Sequence, residues 1–274
     1  MKNIPLVSII IPTKNEAKHI SSSCESVKKQ NYPQDKLEII VVDNNSDDKT
    51  KEIAYRYTDK VFDKGPERSA QRNFGVKKSR GDFFLYLDAD MILHQDVVKE
   101  CVDNVIKDSQ IVALYISEII MGESFWCKVR RFERGFYDAT CIDCARFIKK
   151  DKFLAVGGFD ESMSGPEDWD LDRKLRQLGK IGLITSPVYH NEAEFDLKKY
   201  ISKKGYYAKS FDKYINKWGK DDVEVKKQFG FYYRFLGVFI EKGKWRKLII
   251  HPILTLGMYF LRFLVGVKFL LRGN

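Results

Sequence analysis

Two aspartates separated by a single alanine interrupt the apolar segment LYLDADMIL, residues 85–93. On an extended chain, alternation of side chains places Asp88 and Asp90 on the same face. Neighbouring carboxylates repel each other, and apolar surroundings make their ionisation harder still. A divalent cation such as Mg²⁺ or Mn²⁺ would relieve that repulsion, because it takes oxygen ligands and bridges carboxylates to nucleotide phosphates. The pair predicts a metal site, although a solvated strand end is the alternative for this triplet taken alone.

The first 195 residues alternate short, β-branched apolar runs with helix-like segments. The predicted strands are 7–12, 38–43, 59–64 and 82–90. The predicted helices between them are 16–30 and 69–80. This βαβ order predicts an α/β fold with a parallel sheet covered by helices on both faces. Ligands in such sheets bind at the carboxyl ends of the strands.

Polar residues gather at two of these carboxyl ends. They are Pro12, Thr13, Asn15 and Glu16 after the first strand, and Asp43, Asn44, Asn45 and Ser46 after the second. Together with the Asp88–Asp90 pair they predict one polar crevice. Ser46 also fits a helix N-cap followed by acidic residues in the first turn, which is a structural explanation for part of the cluster.

Charge divides the chain more sharply than its net value of +10 indicates. Residues 196–274 carry 18 Lys and Arg against 6 Asp and Glu, so residues 1–195 carry 30 against 32. A basic C-terminal segment predicts an anionic partner, which can be lipid head groups, nucleic acid or a phosphorylated substrate. Five cysteines and no recognisable secretory leader predict reduced thiols in the cytosol, and the isolated CxxC at 141–144 favours ordinary thiols over zinc.

Six segments, taken in order, carry a resemblance to a known family. They are VSIIIPTKNE, EIIVVDNNSDD, RSAQRNFG, FLYLDADMIL, VGGFDE and GPEDWDLDRKLRQLG. The chain resembles inverting family-2 glycosyltransferases of the GT-A fold over about residues 5–195. This resemblance implies a Rossmann-like nucleotide-diphospho-sugar transferase domain with a nucleotide-binding half (1–98) and an acceptor half (99–195). It also implies that a sugar is transferred from a nucleotide diphosphate with inversion at the anomeric carbon.

The resemblance assigns roles to the crevice residues. It places a nucleotide pocket at Pro12, Thr13, Asn15, Glu16, Asp43, Asn45, Arg72 and Asp88. Asp43 would bind the base and Arg72 would lie near the diphosphate. Asp88 would contact the ribose or the metal, and Asp90 would be the direct ligand of Mg²⁺ or Mn²⁺. His190 is a further candidate ligand of the metal, with a histidine that merely closes the last strand as the alternative.

The segment GPEDWDLDRKL carries the Glu–Asp pair of the family, in which Asp168 matches the catalytic base and Glu167 is its neighbour. Sugar transfer needs a carboxylate near the acceptor oxygen and positive charge near the leaving diphosphate. Asp168 also lies at a predicted helix start, after Pro166, where an acidic residue is favoured for structural reasons alone. A QxxRW motif, the mark of processive members, is absent from the sequence, which favours transfer of a single sugar.

Residues 196–274 form a predicted basic helical extension. Its segment 248–271 is apolar but broken by Arg262 and Lys268. At 100° per residue the polar residues His251, Thr255, Arg262, Lys268 and Arg272 span an arc of about 140°. This pattern predicts an amphipathic helix whose basic face lies among anionic head groups. The alternative is a helix packed on the catalytic domain. Similar tails in the family imply a lipid-linked acceptor.

Together these observations predict a metal-dependent, membrane-associated glycosyltransferase on the cytoplasmic face of the cell membrane. Its donor would be a UDP- or GDP-linked sugar, and its acceptor the hydroxyl of a lipid-linked glycan. A polyprenyl- or dolichyl-phosphate sugar synthase is the alternative within the class. A sugar nucleotidyltransferase shares the fold, but its GGxGTR-type loop is absent after the first strand. A nucleic-acid-binding protein would leave the acidic crevice unexplained, so no nucleic-acid partner is predicted.

Overall fold

The computed structural model describes residues 4–207 and 210–270, which form two compact units. Unit 1 consists of Met1–Ser117, Cys144–Glu161 and Glu167–His190. Unit 2 consists of Glu118–Asp143, Ser162–Pro166 and Asn191–Asn274. Residues 118–143 therefore group with the C-terminal segment, an arrangement that the sequence did not predict. Every residue of the predicted crevice belongs to unit 1.

The sheet has eight strands in the order β3-β2-β1-β4-β7-β6-β8-β5. The strands are β1 Val7–Thr13, β2 Leu37–Asp43, β3 Val61–Asp63, β4 Phe83–Tyr86, β5 Met91–Leu93, β6 Ile111–Met121, β7 Ala145–Lys149 and β8 Lys180–Asn191. Strands form at the four predicted places, and β3, β2, β1 and β4 are parallel. The strand predicted over 82–90 ends at Tyr86, however, so Asp88 and Asp90 lie in the turn after β4 and not on an extended strand. The prediction of a wholly parallel sheet is wrong, because β7 is antiparallel to both β4 and β6, and β5 is antiparallel to β8.

Thirteen α-helices occur in the described residues. They are α1 Ile20–Lys28, α2 Thr50–Ala54, α3 Arg68–Lys78, α4 Val97–Lys107, α5 Phe125–Arg134, α6 Lys150–Ala155, α7 Glu167–Arg176, α8 Leu197–Tyr207, α9 Phe211–Trp218, α10 Val223–Phe229, α11 Val238–Ile240, α12 Trp245–Ile250 and α13 Pro252–Leu270. A π-helical turn, Tyr233–Gly237, precedes α11. No helix in 4–207 or 210–270 combines the length and the apolarity that crossing a bilayer requires.

The core of unit 1 holds helix α3 closely against strand β1. All seven residues of β1 are buried, as expected for a strand covered on both faces. Helix α3 packs closely on β1 at Gly75, where a Cβ atom would lie 2.5 Å from Cγ2 of Ile10. This close approach holds α3 against β1. Arg72, one turn before Gly75 on the same helix, therefore lies beside the carboxyl ends of the central strands.

The C-terminal helix differs from its prediction in bounds and in orientation. Instead of one helix over 248–271, the chain forms α12 and α13 with a break at His251, because the residue before a proline disfavours helical geometry. Arg262, assigned to a head-group-facing arc, is only 7% exposed and faces the interior of unit 2. Of the other predicted positions, Leu271 and Arg272 lie outside the described residues.

Candidate active site

Asp43, at the carboxyl end of β2, is fully buried and held by three donors. Thr13 Oγ1, paired across from it in β1, donates to Asp43 Oδ2 at 2.9 Å. The backbone amide of Ser46 donates to Oδ1 at 2.7 Å, and the Ser46 hydroxyl donates to Oδ2 at 2.5 Å. Ser46 is therefore not the helix N-cap that was considered, since α2 begins at Thr50 and its preceding residue makes no side-chain cap.

The loops after β1 and β2 are tied to each other by further bonds. The amide of Asn15 donates to Ser46 Oγ at 2.8 Å, and the side-chain oxygen of Asn15 accepts from the amide of Asp47 at 3.1 Å. Asn15 and Asn45 both have left-handed backbones, with φ of 55° and 49°, which asparagine tolerates better than most residues. Both are exposed, whereas Pro12 is buried within β1. The structure thus brings the predicted nucleotide-pocket residues of these loops together.

Gln71 is a further residue of this region that sequence reasoning missed. Its side-chain amide donates to the carbonyl of Thr13 at 2.9 Å and to that of Val42 at 2.6 Å. These bonds reach the carbonyls of the last residue of β1 and the next-to-last residue of β2, and they fasten α3 to the site. A signal was available in the sequence, because Gln71 precedes Arg72 directly in the RSAQRNFG segment.

Arg72 joins the two carboxylates to which chemistry was assigned. Its Nη2 donates to Asp88 Oδ1 at 2.9 Å and its Nη1 donates to Asp168 Oδ1 at 3.0 Å. The guanidinium is buried and lies over the ring of Tyr86, 4.2 Å from its centroid. Arg146 adds a second positive charge, with its Nη1 3.7 Å from Asp88 Oδ2. Burial raises the pKa of Asp88, but Arg72 and Arg146 outweigh this effect and hold that pKa well below its ordinary value.

Asp168 lies in the first turn of α7, as the sequence predicted. Besides Arg72, its Oδ1 lies 3.3 Å from the hydroxyl of Tyr86, which also lies 2.7 Å from the carbonyl oxygen of Ala145. The Asp168 side chain keeps 21% of its surface exposed although Arg72 is buried. A carboxylate with one oxygen fixed from behind and part of its surface accessible can accept a proton from a substrate hydroxyl. Tyr86 was not predicted as a site residue.

Glu167 precedes Asp168 and differs from it in environment. Its side chain is only 2% exposed, and its carboxylate lies 4.0 Å from Nη2 of Arg68. Burial, reinforced by the charge of Asp168 and opposed by Arg72 and Arg68, raises the pKa of Glu167 to about 7. Glu167 is therefore the buried member of this pair of carboxyl groups, and Asp168 is the accessible one.

Asp90 and His190 form the part of the site that suits a cation. Register pairing of Met91 with His190 across β5 and β8 brings His190 Nε2 within 3.3 Å of Asp90 Oδ2. The pKa of nearby Glu16 is raised by burial and further by the charges of Asp90 and Asp88, although a hydrogen bond from His19 opposes the effect. The carboxyl groups of Glu16, Asp88 and Asp90 therefore lie close enough together to interact.

Asp90 and His190 together fit a metal ion that takes its remaining ligands from a bound substrate or from water. No cluster of three or more His, Cys, Asp and Glu residues that could hold an ion by itself occurs within 4–207 and 210–270. One carboxylate oxygen and one imidazole nitrogen are acceptable to Mn²⁺, and Mg²⁺ sites commonly use one or two protein groups plus substrate phosphates. Asp88, predicted as a further metal ligand, has one oxygen bonded to Arg72.

The VGGFDE loop, residues 156–161, is fixed to unit 1 by Asn73 on α3. The side-chain amide of Asn73 bonds both the amide and the carbonyl of Phe159 at 2.9 Å, and also Oε1 of Glu161 at 2.9 Å. Gly158 has a φ of 71°, and a Cβ atom there would lie 2.7 Å from Asn73 Oδ1. Helix α3 thus organises both Arg72 and the VGGFDE loop, which the family resemblance associates with the donor-sugar and acceptor site.

Comparison with known proteins adds a family match to this geometry. The model of glycosyl transferase family 2 matches residues 8–160. Over 109 residues the chain is 37% identical to glycosyltransferase AglE of Haloferax volcanii, covering 37% of this chain and 36% of that relative. The chain therefore matches only about a third of the length of AglE.

A longer match runs to a protein of Methanococcus voltae. That protein is named dolichyl N-acetyl-alpha-D-glucosaminyl phosphate 3-beta-D-2,3-diacetamido-2,3-dideoxy-beta-D-glucuronosyltransferase, and the chain is 26% identical to it over 270 residues. The match covers 85% of this chain and 81% of the relative. Among solved structures, the mannosyltransferase PcManGT from Pyrobaculum calidifontis, in complex with GDP-Man and Mn²⁺, covers the whole chain with a TM-score of 0.65 and 21% identity. The match covers 89% of PcManGT and confirms the GT-A fold.

Proposed function

The chain belongs to glycosyl transferase family 2, and from this we propose that it transfers one sugar from a nucleotide diphosphate to an acceptor hydroxyl, with inversion. One observation carries the proposal: Arg72 holds Asp88 and Asp168 together at the carboxyl ends of the central strands. This bond places the base assigned to the acceptor beside the residues assigned to the donor. A binding module without chemistry would have no use for a partly exposed carboxylate held in that position.

The donor nucleotide is assigned to the loops after β1 and β2. Asp43 is fully buried, with Thr13 and Ser46 bonded to its two oxygens, so its carboxylate orders the loops that would form that pocket. Asn15 and Asn45 add exposed amides at its rim. These groups are hydrogen-bonding partners for a base and a ribose. We propose a UDP- or GDP-linked sugar, and the GDP-Man bound by PcManGT supports a donor of this class.

A divalent cation is assigned to Asp90 and His190. When bound there, Mg²⁺ or Mn²⁺ would supply positive charge to the diphosphate leaving group. Asp88 has a supporting position, since its bond to Arg72 orients the guanidinium that also holds Asp168. The Mn²⁺ in the PcManGT complex supports a cation in an enzyme of this fold.

Asp168 acts as the general base in the proposed reaction. Its accessible surface accepts the proton of the acceptor hydroxyl while that oxygen bonds to the anomeric carbon. The bond from the same carbon to the diphosphate breaks on the opposite side, which inverts the configuration. Arg72 and Tyr86 fix the orientation of the carboxylate.

The acceptor is proposed to be the hydroxyl of a lipid-linked glycan, used by a peripheral enzyme on the cytoplasmic face of the cell membrane. The dolichyl-phosphate-linked acceptor in the name of the Methanococcus voltae relative supports this choice. The basic segment 196–274 supports attraction to an anionic lipid surface. A polyprenyl-phosphate sugar synthase is the second candidate, but its ionised phosphate acceptor would need little help from Asp168.

The proposal is tested by screening UDP- and GDP-linked sugars for thermal stabilisation and for nucleotide release, with Mn²⁺, with Mg²⁺ and with excess chelator. One donor should stabilise the wild-type protein only when a cation is present. Asp90→Ala should abolish that stabilisation and the release of nucleotide. Asp103→Ala is the matched control: it removes an exposed aspartate of α4 that pairs with Lys99, and it should behave like wild type. Full activity of Asp90→Ala or of chelated wild type would exclude the cation from the mechanism.

A further inference from the structure

Helix α13 of unit 2 has its arginine inside and its large apolar side chains outside. Ile253, Leu256, Phe260 and Phe263 are 70%, 72%, 48% and 62% exposed, and Arg262 is 7% exposed. At 100° per residue the four apolar residues fall within an arc of about 80°, which we call the apolar face, with Arg262 on the other side of the helix. Helices on the surface of water-soluble proteins have the opposite arrangement.

Two hydrogen bonds and an ion pair hold the guanidinium of Arg262 inside unit 2. Its Nη2 donates to the hydroxyl of Tyr137 at 2.6 Å, its Nη1 donates to the carbonyl of Arg234, and its Nε lies 3.1 Å from Oε1 of Glu133. The group also lies over the ring of Phe239, 4.6 Å from its centroid. The rotation of α13 about its axis is therefore fixed, because turning the apolar face inward would remove all these bonds.

Close packing against α5 fixes the same orientation. At Gly257 a Cβ atom would lie 2.7 Å from Cγ2 of Val129 and 3.0 Å from Cζ of Phe125, so only glycine permits this approach. Trp126 on α5 stacks on Phe260 at 5.9 Å between ring centroids. Small residues at a helix contact and an inward arginine are features that proteins adopt when hydrocarbon lies on their outer side.

The exposed apolar side chains are concentrated in this part of the chain. Of the 21 large exposed apolar residues found in 4–207 and 210–270, 11 lie within residues 231–263. They include Ile249 and Ile250 at the end of α12, each 68% exposed. Contiguous apolar surface of this kind marks a site of interaction with another protein or with a membrane.

Charge decides between those two partners. No aspartate or glutamate follows Glu241 in the sequence, whereas Lys242, Arg246 and Lys247 precede α13 and Lys268 lies near its end. These four cationic residues are exposed. A second copy of this chain would present the same positive charges and be repelled, but an anionic lipid surface offers hydrocarbon and negative charge together.

We propose that the apolar face of α13 inserts into the acyl boundary of an anionic membrane, with the flanking lysines and arginine among the head groups. This inference deepens the proposed membrane association, on which it rests. It corrects one part of the expectation from the sequence, because Arg262, expected among the head groups, lies inside unit 2. The lipid-facing residues are the Ile, Leu and Phe side chains that unit 2 leaves uncovered.

The test is co-sedimentation of the full-length protein with vesicles of phosphatidylcholine, with and without phosphatidylglycerol. Wild type should bind the anionic vesicles, and high salt should weaken that binding without abolishing it, since only the charge contribution is screened. Ile253→Ser and Leu256→Ser should each lower the partition constant about tenfold, because each removes the burial of one large aliphatic side chain. The double variant should then lose about a hundredfold if the effects add.

The matched control is the double variant Ile106→Ser and Leu154→Ser, which removes two apolar residues of similar exposure from unit 1. It should bind vesicles like wild type, and both double variants should keep the wild-type melting temperature. Equal vesicle binding by Ile253→Ser/Leu256→Ser and wild type would overturn the apolar face but leave membrane association standing. Absence of vesicle binding by wild type would overturn both. Conversion of a wild-type dimer to a monomer by the face variant, seen by analytical ultracentrifugation without lipid, would overturn lipid as the partner.

Discussion

Each unit contains a buried arginine bonded to an acidic side chain, but the two arginines have different surroundings. Arg72 in unit 1 bonds Asp88 and Asp168, whose side chains remain 18% and 21% exposed. Arg262 in unit 2 bonds Glu133, which is 4% exposed, together with a tyrosine and a backbone carbonyl. The carboxylates held by Arg72 are partly accessible to solvent, whereas Glu133 beside Arg262 is part of the packing. Burial of a charge alone therefore does not identify a functional site, and the exposure of its partners does.

The largest expected effect of this difference is on stability. Arg262→Met should lower the free energy of unfolding by about 3–5 kcal/mol, because it removes a charged donor from the carbonyl of Arg234 and from the hydroxyl of Tyr137, and one of the cations beside buried Glu133. Lys268→Met, on the same helix but exposed, should change stability by less than about 0.5 kcal/mol. Chemical denaturation of both variants measures the contrast. Similar stability in the two variants would mean that Arg262 does not hold α13 in its orientation.

Unit 1 should show the next largest effect, in the pH dependence of its stability. The raised pKa of Glu167 means that the folded state binds this proton more tightly than the unfolded state does, between an ordinary value of 4.5 and about 7. Stability contributed by the protonated group is present below 4.5 and is lost as pH rises through about 7.

Glu167→Gln should abolish that loss and increase stability at pH 8 relative to wild type by up to ~3 kcal/mol. The two proteins should be nearly equally stable at pH 4. Glu52→Gln, an exposed control in α2, should follow the wild-type pH profile. Parallel profiles of Glu167→Gln and wild type from pH 4 to pH 8 would contradict the assigned environment of Glu167.

A smaller effect, on kcat, should show whether Arg72 orients Asp168 or only contributes to packing. Arg72→Lys keeps the positive charge, but an ammonium group cannot span Asp88 and Asp168 as the planar guanidinium does. We expect kcat to fall by about tenfold with little change in the KM for donor, since Asp168 loses its fixed orientation. A drop in stability without a change in the kcat of the folded fraction would place Arg72 with Arg262 as a packing residue.

The comparison also shows what the sequence could predict. The strands β1, β2 and β4, and the gathering of Thr13, Asp43 and Asp88 at their ends, followed from apolar runs that end in polar residues. The antiparallel β7 was missed, because the five residues ARFIK alternate too briefly to indicate a direction of pairing. The bonds of Arg72 were also missed, since a contact between residues 72 and 168 leaves no local pattern.

The sequence could not predict which side of α13 faces the protein. Periodicity correctly indicated which residues share one side of this helix, and Arg262 does lie away from Ile253 and Leu256. It could not indicate which side faces the protein, because that depends on Glu133, Tyr137 and a carbonyl that lie far away in sequence. The sequence therefore placed Arg262 among lipid head groups, whereas the structure buries it inside unit 2.

The central claim is that Asp168 performs chemistry while the loops of β1 and β2 and the Asp90–His190 pair bind donor. The most direct measurement is donor binding by calorimetry and sugar transfer on the same samples of wild type and Asp168→Asn. We predict that the variant binds donor nucleotide and cation like wild type and transfers sugar at least ~10²-fold more slowly. Weakened donor binding with an unchanged rate per bound donor would contradict the claim and make Asp168 a binding residue.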